Sequence, residues 1–226
     1  MVKHDGHLYS SKPPLLSTIL AGPYWIVHRL TGATLETHPH AIGRFLLITT
    51  NVVGWVIMLT LIAAMVERLG TTDWGRLFVV AAASFGTFLS TFGVTLNNHL
   101  FGAIGVTVAL YAVMRIWMDG RREARWFVLA GLFGAFAVTN ELPALSFLAL
   151  IGLGLLLKAP RPTLVGFVPA ALLVAAGFFG TNWIAHESLR PPYMHRGGED
   201  NWYDYTYERD GRIVESYWRS PRGLDR

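Results

Sequence analysis

The sequence predicts an all-α fold: a polytopic transmembrane helical bundle of about six spans or half-spans, with an extracytoplasmic N-terminal amphipathic helix and a soluble C-terminal tail. Three observations predict it. Of the 226 residues 52% are hydrophobic, the mean hydropathy is +0.38, and long stretches are nearly free of charge. Such a chain is too apolar for an ordinary soluble domain. We expect an extracytoplasmic loop (1–44), a transmembrane bundle (45–185) and an extracytoplasmic tail (186–226).

Charge and cysteine content exclude several classes of protein. The net charge of +4 comes mostly from arginines in short connecting segments, so it indicates membrane topology rather than a nucleic-acid surface. The chain contains no cysteine, which excludes disulfides, thiolate metal sites and a cysteine nucleophile. We therefore predict a multi-pass integral membrane protein, placed in the plasma membrane, without a nucleic-acid partner.

Six apolar segments are predicted spans or half-spans, and a full crossing of a hydrocarbon core of about 30 Å requires roughly 20 apolar residues. In chain order they are 45–66, 76–96, 100–117, 126–139, 143–157 and 162–184. The segment 45–66 is the clearest, and 76–96 is rich in small residues that let helix backbones approach closely. The pair 126–139 and 143–157 is short. It forms either two tilted spans or one re-entrant hairpin, and we favour two spans.

Arginine-rich loops set the predicted orientation. The loop "RIWMDGRREAR" (115–125) and the loop "KAPRP" (158–162) carry most of the basic residues near the spans, which places both in the cytoplasm. Counting spans outward then places residues 1–44, the turns 97–99 and 140–142, and the tail on the opposite side. The unusual polar clusters thus share one face of the membrane.

The tail is rich in aromatic residues and cannot span a membrane. Its stretch "YERDGRIVES" has a turn signal, Asp210 and Gly211, between short alternating segments, and this predicts a β-hairpin. We favour a packing surface or small lid over a stacking platform for carbohydrate. The aromatic residues are Tyr193, Trp202, Tyr203, Tyr205, Tyr207, Tyr217 and Trp218. Because the chain stops at "RSPRGLDR" without a closing helix, we expect it to be a fragment.

The opening motif resembles a known family. The stretch "SSKPPLLSTILAGPYWIVHRLTG", followed by Gly43, Arg44 and a long apolar helix, is similar to the first extracytoplasmic loop of the GT-C membrane glycosyltransferases. The nearest branch is that of dolichyl-phosphate-mannose protein mannosyltransferases and bacterial aminoarabinose transferases. The later stretch "RREARWFVLAGLFGAFAVTNELPALSFLALIGLGLLL" also resembles a segment of this family. The resemblance covers roughly residues 8–158.

The resemblance implies transfer of a sugar from a polyprenyl-phosphate donor to an extracytoplasmic acceptor, by an inverting displacement that an acidic base assists. It implies polyprenyl-phosphate-linked sugar and membrane lipids as partners, and no cofactor, with a divalent metal left open. Pro13 and Pro14 suit the mouth of a helix, where the first amides lack partners. Lys12 beside them is a predicted phosphate contact. Arg44 is either a second phosphate ligand or a headgroup anchor.

The acidic residues that such a reaction needs match the family poorly. The family's catalytic aspartate lies upstream of this loop, and Asp5 is the one acid in the opening segment, where a mobile solvated residue is favoured over a catalytic one. A second family acid falls near Asn98 and His99. This neutral turn forms either a helix cap or a polar wall for sugar or phosphate.

Asn140 replaces a family lysine and is a predicted substrate-binding residue, and Glu141 follows it. Glu141 either ends a helix in headgroup water or acts as the acceptor-side base or a metal ligand. His38 and His40, two apart in a loop with a proline, are interpreted as solvated rather than as zinc ligands.

Two other classes of function stay open. One is a carrier of a lipid or small solute, although the chain shows no repeats or midplane charges of the kind that transporters have. The other is a non-catalytic scaffold or a truncated membrane protein, which the unmatched acids favour.

Overall fold

Eight α-helices account for most of the described chain, and a computed structural model gives the structure of residues 1–197, 200–216 and 219. The helices are α1 (Leu15–Thr31), α2 (Pro39–Leu69), α3 (Asp73–Phe85), α4 (Leu89–Gly93), α5 (Asn98–Trp117), α6 (Ala124–Asn140), α7 (Ala144–Lys158) and α8 (Pro160–His186). Four short strands are β1 (Val2–His4), β2 (His7–Tyr9), β3 (Thr206–Arg209) and β4 (Arg212–Glu215). The aromatic residues Tyr217 and Trp218 lie outside the described residues.

Three of the described helices, α2, α5 and α8, are long and apolar enough to cross a membrane, and they coincide with the predicted spans 45–66, 100–117 and 162–184. At about 1.5 Å per residue, the 31 residues of α2 exceed the thickness of a hydrocarbon core. Helices α6 and α7 are apolar but shorter. By length and composition, three such helices make the fold compatible with a membrane protein.

The predicted span 76–96 is wrong as a single helix. Helix α3 ends at Phe85, Gly86 adopts φ −93° and ψ 9°, and α4 begins at Leu89. Hydroxyl groups satisfy the backbone around this break, since Thr87 Oγ1 donates to the Ala83 carbonyl and Ser90 Oγ to the Thr87 carbonyl. Glycine together with side chains that bond locally to the backbone favours a helix end over continuation.

The opening residues place α1 as the sequence predicts. The helix begins at Leu15, directly after Pro13 and Pro14. It ends at Thr31, and Gly32 follows with φ +70° and donates its N–H to the His28 carbonyl. A glycine in this left-handed conformation is a common helix stop, because it has no Cβ to clash.

The described chain divides into two compact units, Leu16–Ala176 and the combination of Met1–Leu15 with Gly177–Arg226. In the larger unit, helices α5, α6 and α7 share a buried core that includes Ala112, Phe127 and Leu155. Close approach depends on glycine: a Cβ at Gly105 would lie 2.8 Å from the Phe133 carbonyl oxygen, inside normal contact. This packing places the start of α5 beside the end of α6.

Helix α2 is joined to α5 at two places. Met58, Leu100 and Ile104 form a second buried cluster. At the other end of both helices, Asp119 pairs with Arg68, and its Oδ2 lies 2.8 Å from Arg115 Nη1. The Asp119 side chain is only 9% exposed, so these two arginines supply the countercharge that a buried carboxylate requires.

The smaller unit contains two β-hairpins. The predicted hairpin is confirmed: β3 pairs with β4 from Thr206↔Glu215 to Arg209↔Arg212, and Asp210 and Gly211 have φ of 54° and 71°. The sequence did not predict the other hairpin, in which β1 pairs with β2 around Asp5. The expectation of an all-α fold is therefore correct for the helices and incomplete for this unit.

Candidate functional site

Helix α5 begins with a side-chain cap. Asn97 has extended backbone angles, and its Oδ1 accepts the N–H groups of His99 at 2.9 Å and Leu100 at 3.4 Å. Capping, one of the two open interpretations of this turn, is thus confirmed for Asn97. The cap fixes Asn98 and His99 in the first turn of α5, where the unpaired amides and the helix dipole favour negative charge.

The carboxylate of Glu141 lies beside this first turn of α5. Glu141 Oε1 accepts a hydrogen bond from Asn98 Nδ2 at 2.5 Å and lies 2.5 Å from His99 Nδ1. Asn98 Nδ2 also donates to the Asn140 carbonyl at 2.6 Å. Asn98 and Asn140 are buried, whereas the side chains of His99 and Glu141 are 43% and 32% exposed. We call these four residues the polar cluster.

The local sequence explains why the end of α6 comes to this point. Glu141 N–H donates to the Ala137 carbonyl and closes the last turn of α6, and Asn140 Nδ2 donates to the Phe136 carbonyl. Pro143 then opens α7. A Cβ at Gly102 would lie 3.0 Å from Glu141 Cγ, so the glycine gives the glutamate stem room to lie against α5.

An apolar groove of about 420 Å³ lies in the same unit. Its lining is mostly hydrophobic and includes Trp55, Val56 and Phe85. The segment that follows α4 forms part of its wall, and Phe92 of α4 contacts the His99 ring with centroids 4.6 Å apart. Phe92 directly precedes Gly93, a lining residue of the groove, so the groove wall and the polar cluster are contacted by adjacent residues of α4.

Asn51 holds the wall of this groove and was missed by the sequence analysis. Its Nδ2 donates to the carbonyls of Phe92, Gly93 and Thr95 at 3.4, 3.1 and 2.8 Å, and the residue is fully buried. It lies in a π-helical stretch of α2, a geometry that is frequent at functional sites. The signal in the sequence was a single asparagine inside an otherwise apolar span.

The other predicted site residues lie elsewhere. Asp5 and Lys12 belong to the smaller unit: Asp5 is in the β1–β2 turn with its Oδ2 3.3 Å from His4 Nε2, and Lys12 is exposed and donates its N–H to Ser10 Oγ. Arg44 is exposed on α2 in the larger unit. Within the described residues no hydrogen bond or ion pair joins Arg44 to the polar cluster.

Metal ligands do not assemble in the described part of the chain. No three His, Asp or Glu side chains come together there in a way that would hold an ion. His38 and His40 are exposed, and His38 Nδ1 bonds to the neighbouring Thr37 Oγ1 at 2.9 Å. The partners of the Glu141 carboxylate in the described part of the chain are the His99 imidazole and the Asn98 amide.

Comparison of the chain with family models, with curated proteins and with solved structures finds no match. The class that the fold defines is a mostly helical protein with three candidate membrane-spanning helices.

Proposed function

We propose that the chain is a membrane glycosyltransferase, or part of one, that transfers a sugar from a polyprenyl-phosphate donor to an acceptor hydroxyl on the extracytoplasmic face of the plasma membrane. The observation that supports this best is the polar cluster, in which Asn98 and His99 hold a carboxylate that is 32% exposed, and the His99 ring contacts Phe92 beside the wall of the apolar groove. In this proposal all six predicted segments contribute to the membrane bundle, with 76–96 represented by the separate helices α3 and α4, and with α6 and α7 as short helices.

Glu141 is the proposed base. Within the described residues, its contacts from Asn98 and His99 both use Oε1, which leaves Oε2 to accept the proton of an acceptor hydroxyl. The deprotonated oxygen attacks the anomeric carbon, the bond from that carbon to the phosphate oxygen breaks, and polyprenyl phosphate leaves. Asn98 and His99 orient the carboxylate and supply positive potential beside it.

The groove is the proposed place of the polyprenyl chain. Its walls are hydrophobic, and its length lies along α2, a candidate membrane span, so a hydrocarbon chain enters without desolvation of polar groups. Arg44 and Lys12 stay predicted phosphate ligands, because each is an exposed cation near a predicted membrane surface.

Transfer of radiolabelled sugar from a polyprenyl-phosphate donor tests the proposal, with the full chain in lipid nanodiscs. Glu141→Gln keeps an oxygen that accepts from Asn98 but removes the base, so we expect transfer to fall by about 10²–10⁴-fold. Glu123→Gln, an exposed glutamate in the arginine-rich loop, is the matched control and leaves transfer unchanged. Transfer that is insensitive to Glu141→Gln excludes this residue as the base.

A non-catalytic membrane protein is the second candidate. One observation favours it: the contacts of Glu141 tie the end of α6 to the start of α5, a structural role that needs no substrate. If Glu141→Gln lowers the stability of the fold and the wild-type chain transfers no sugar, this second candidate is correct.

A further inference from the structure

The segment that follows α8 folds around the indole of Trp202. The His195 ring stacks on one side, with centroids 3.8 Å apart and planes 3° apart, and the His4 ring stacks at 4.0 Å and 20°. Trp202 is 4% exposed and His195 is 6% exposed. Packing therefore fixes the orientation of the His195 imidazole.

Hydrogen bonds at both ring nitrogens determine which nitrogen of His195 carries the proton. His195 Nδ1 lies 2.6 Å from Asp200 Oδ2, and the other carboxylate oxygen, Oδ1, accepts from Trp202 Nε1 at 2.6 Å. On the far side of the ring, Nε2 lies 3.3 Å from Ser188 Oγ. A carboxylate at Nδ1 keeps the ring proton there, which leaves Nε2 as an acceptor.

The serine is oriented to donate its hydrogen. Ser188 Oγ accepts the N–H of Arg190 at 3.1 Å, so its own hydrogen is free to point at His195 Nε2. Glu187, immediately before it, has φ 53°, a left-handed conformation in which glycine is usual. This residue ends α8 with an N–H bond to the Trp183 carbonyl and turns the chain so that Ser188 is partly exposed.

The charge on Asp200 suits the same arrangement. Burial raises the pKa of this carboxyl, but hydrogen bonds from His195 and Trp202 outweigh burial and hold the pKa below its ordinary value. Asp200 is therefore ionised at neutral pH, and its negative charge lies beside Nδ1 of His195.

We propose that Ser188 is a nucleophile, with His195 as its base and Asp200 as a positioning residue, in a second site that cleaves acyl esters. Serine, histidine and aspartate in this order of hydrogen bonds define such a site by geometry and not by chain position. This activity is independent of glycosyl transfer.

The reaction balances with water as co-reactant. Ser188 Oγ attacks the ester carbonyl carbon while its proton moves to His195 Nε2; the bond to the alcohol oxygen breaks, and the alcohol leaves with that proton. Water then gives a proton to Nε2 and its hydroxyl to the acyl carbon. The acid leaves, and the proton returns from Nε2 to Ser188 Oγ.

Position in the chain indicates the class of ester. Ser188 lies two residues after His186, the last residue of α8, and two residues span at most about 7 Å. Because α8 is a candidate membrane span, the serine lies close to a bilayer surface. Leu189 and Met194, which flank the site in sequence, are both more than half exposed and apolar. The substrate is accordingly an acyl ester at the membrane surface.

An alkyl fluorophosphonate, which modifies activated serines covalently, tests the proposal on the full chain in nanodiscs. We expect one adduct per chain at Ser188 by peptide mass mapping, its loss in Ser188→Ala, and labelling about 10²–10⁴-fold slower in Asp200→Asn, which favours the wrong ring tautomer. Ser10→Ala is the matched control, because Ser10 Oγ likewise accepts an N–H two residues on, at 3.1 Å, but has no recorded histidine contact within the described residues. No adduct at Ser188, or one that Asp200→Asn does not slow, overturns the proposal.

Two single-cysteine variants provide a second test if Asp200→Asn fails to fold. The chain has no cysteine, so Ser188→Cys and Ser10→Cys each carry a single thiol. An imidazole beside a thiol favours the reactive thiolate, and we expect Ser188→Cys to react with iodoacetamide at least about 10-fold faster than Ser10→Cys at pH 7. Equal rates, or a faster Ser10→Cys, overturn the proposal.

Discussion

Asn98 Nδ2 lies 2.5 Å from Glu141 Oε1, although 43 positions separate the two residues in the chain. The same amide group reaches the Asn140 carbonyl, so one side chain satisfies both a carboxylate and the end of α6. This pair joins two helices and holds a partly exposed carboxylate in the unit that also contains the apolar groove.

We predict that Asn98→Ala destabilises the fold by about 1–3 kcal/mol, because it leaves the buried Asn140 carbonyl without its donor and leaves His99 as the remaining partner of Glu141 Oε1 within the described residues. Thermal unfolding in detergent, followed by tryptophan fluorescence, measures the change. Thr60→Ala, at an exposed threonine of α2 that bonds within its own helix, is the control and has little effect. Equal stability of the two variants contradicts this role for Asn98.

Glycine substitutions separate packing of α5 from the geometry of the polar cluster. Gly105→Ala places a Cβ against the Phe133 backbone, which cannot move aside, and we expect a loss of about 1–3 kcal/mol. Gly102→Ala meets the flexible stem of Glu141 and costs less stability, while it lowers any activity that depends on Glu141. Gly43→Ala, a helical position with open space around it, is neutral or stabilising. A larger loss of stability in Gly43→Ala or Gly102→Ala than in Gly105→Ala contradicts the prediction.

Asn51→Leu removes three hydrogen bonds, two to the end of α4 and one to the segment between α4 and α5. We expect faster amide hydrogen exchange at residues 93–97, because local opening becomes easier when this segment loses its anchor. Exchange at 104–108, in the buried part of α5, serves as the internal control and stays unchanged. Unaltered exchange at 93–97 shows that Asn51 does not hold the segment.

Asp119→Ala leaves two arginines without the carboxylate that joins α2 to α5. Because Asp119 is nearly buried and both arginines are partly exposed, we expect a loss of about 1–3 kcal/mol. Glu67→Ala is the matched control: Glu67 is a 73% exposed carboxylate whose ion pair to Arg76 is long, at 3.5 Å. Thermal unfolding of both variants in the same detergent measures the loss of stability. Equal losses in Asp119→Ala and Glu67→Ala contradict the prediction.

The smaller unit has a predicted pH dependence. The pKa of Asp200 is lowered in the folded chain by its bonds to His195 and Trp202, which outweigh the opposing effect of burial. A lowered pKa stabilises the folded unit above the ordinary value of 3.8, and this contribution declines as the pH falls through the lower folded pKa. Tryptophan fluorescence between pH 5 and pH 2 should therefore show a transition in the wild type that is smaller in Asp200→Asn. Asp204→Asn, an exposed aspartate paired with Arg219, is the control, and a transition that neither substitution alters contradicts the assignment.

Local features were predictable from the sequence. Apolar runs of 18 or more residues correspond to α2, α5 and α8, two prolines precede α1, and Asp210 with Gly211 forms the predicted hairpin turn. Each of these features depends on interactions among residues within a few positions of one another. The prediction of one span over 76–96 was wrong because hydropathy averaged over a window does not detect a helix end such as the one at Gly86.

The sequence by itself determined which segments are helical, where most of them begin and end, and that the polar residues at 97–99 and 140–141 are exceptional in an apolar chain. Only the tertiary structure decided that Asn98 meets Glu141, that Asn51 holds the groove wall, and that Ser188, His195 and Asp200 form one hydrogen-bonded chain. The physical reason is that helix periodicity and turn propensity are local, whereas contacts between distant residues depend on how closely backbones approach. Small residues such as Gly105 permit that approach, and which partner they admit is settled only when the helices pack.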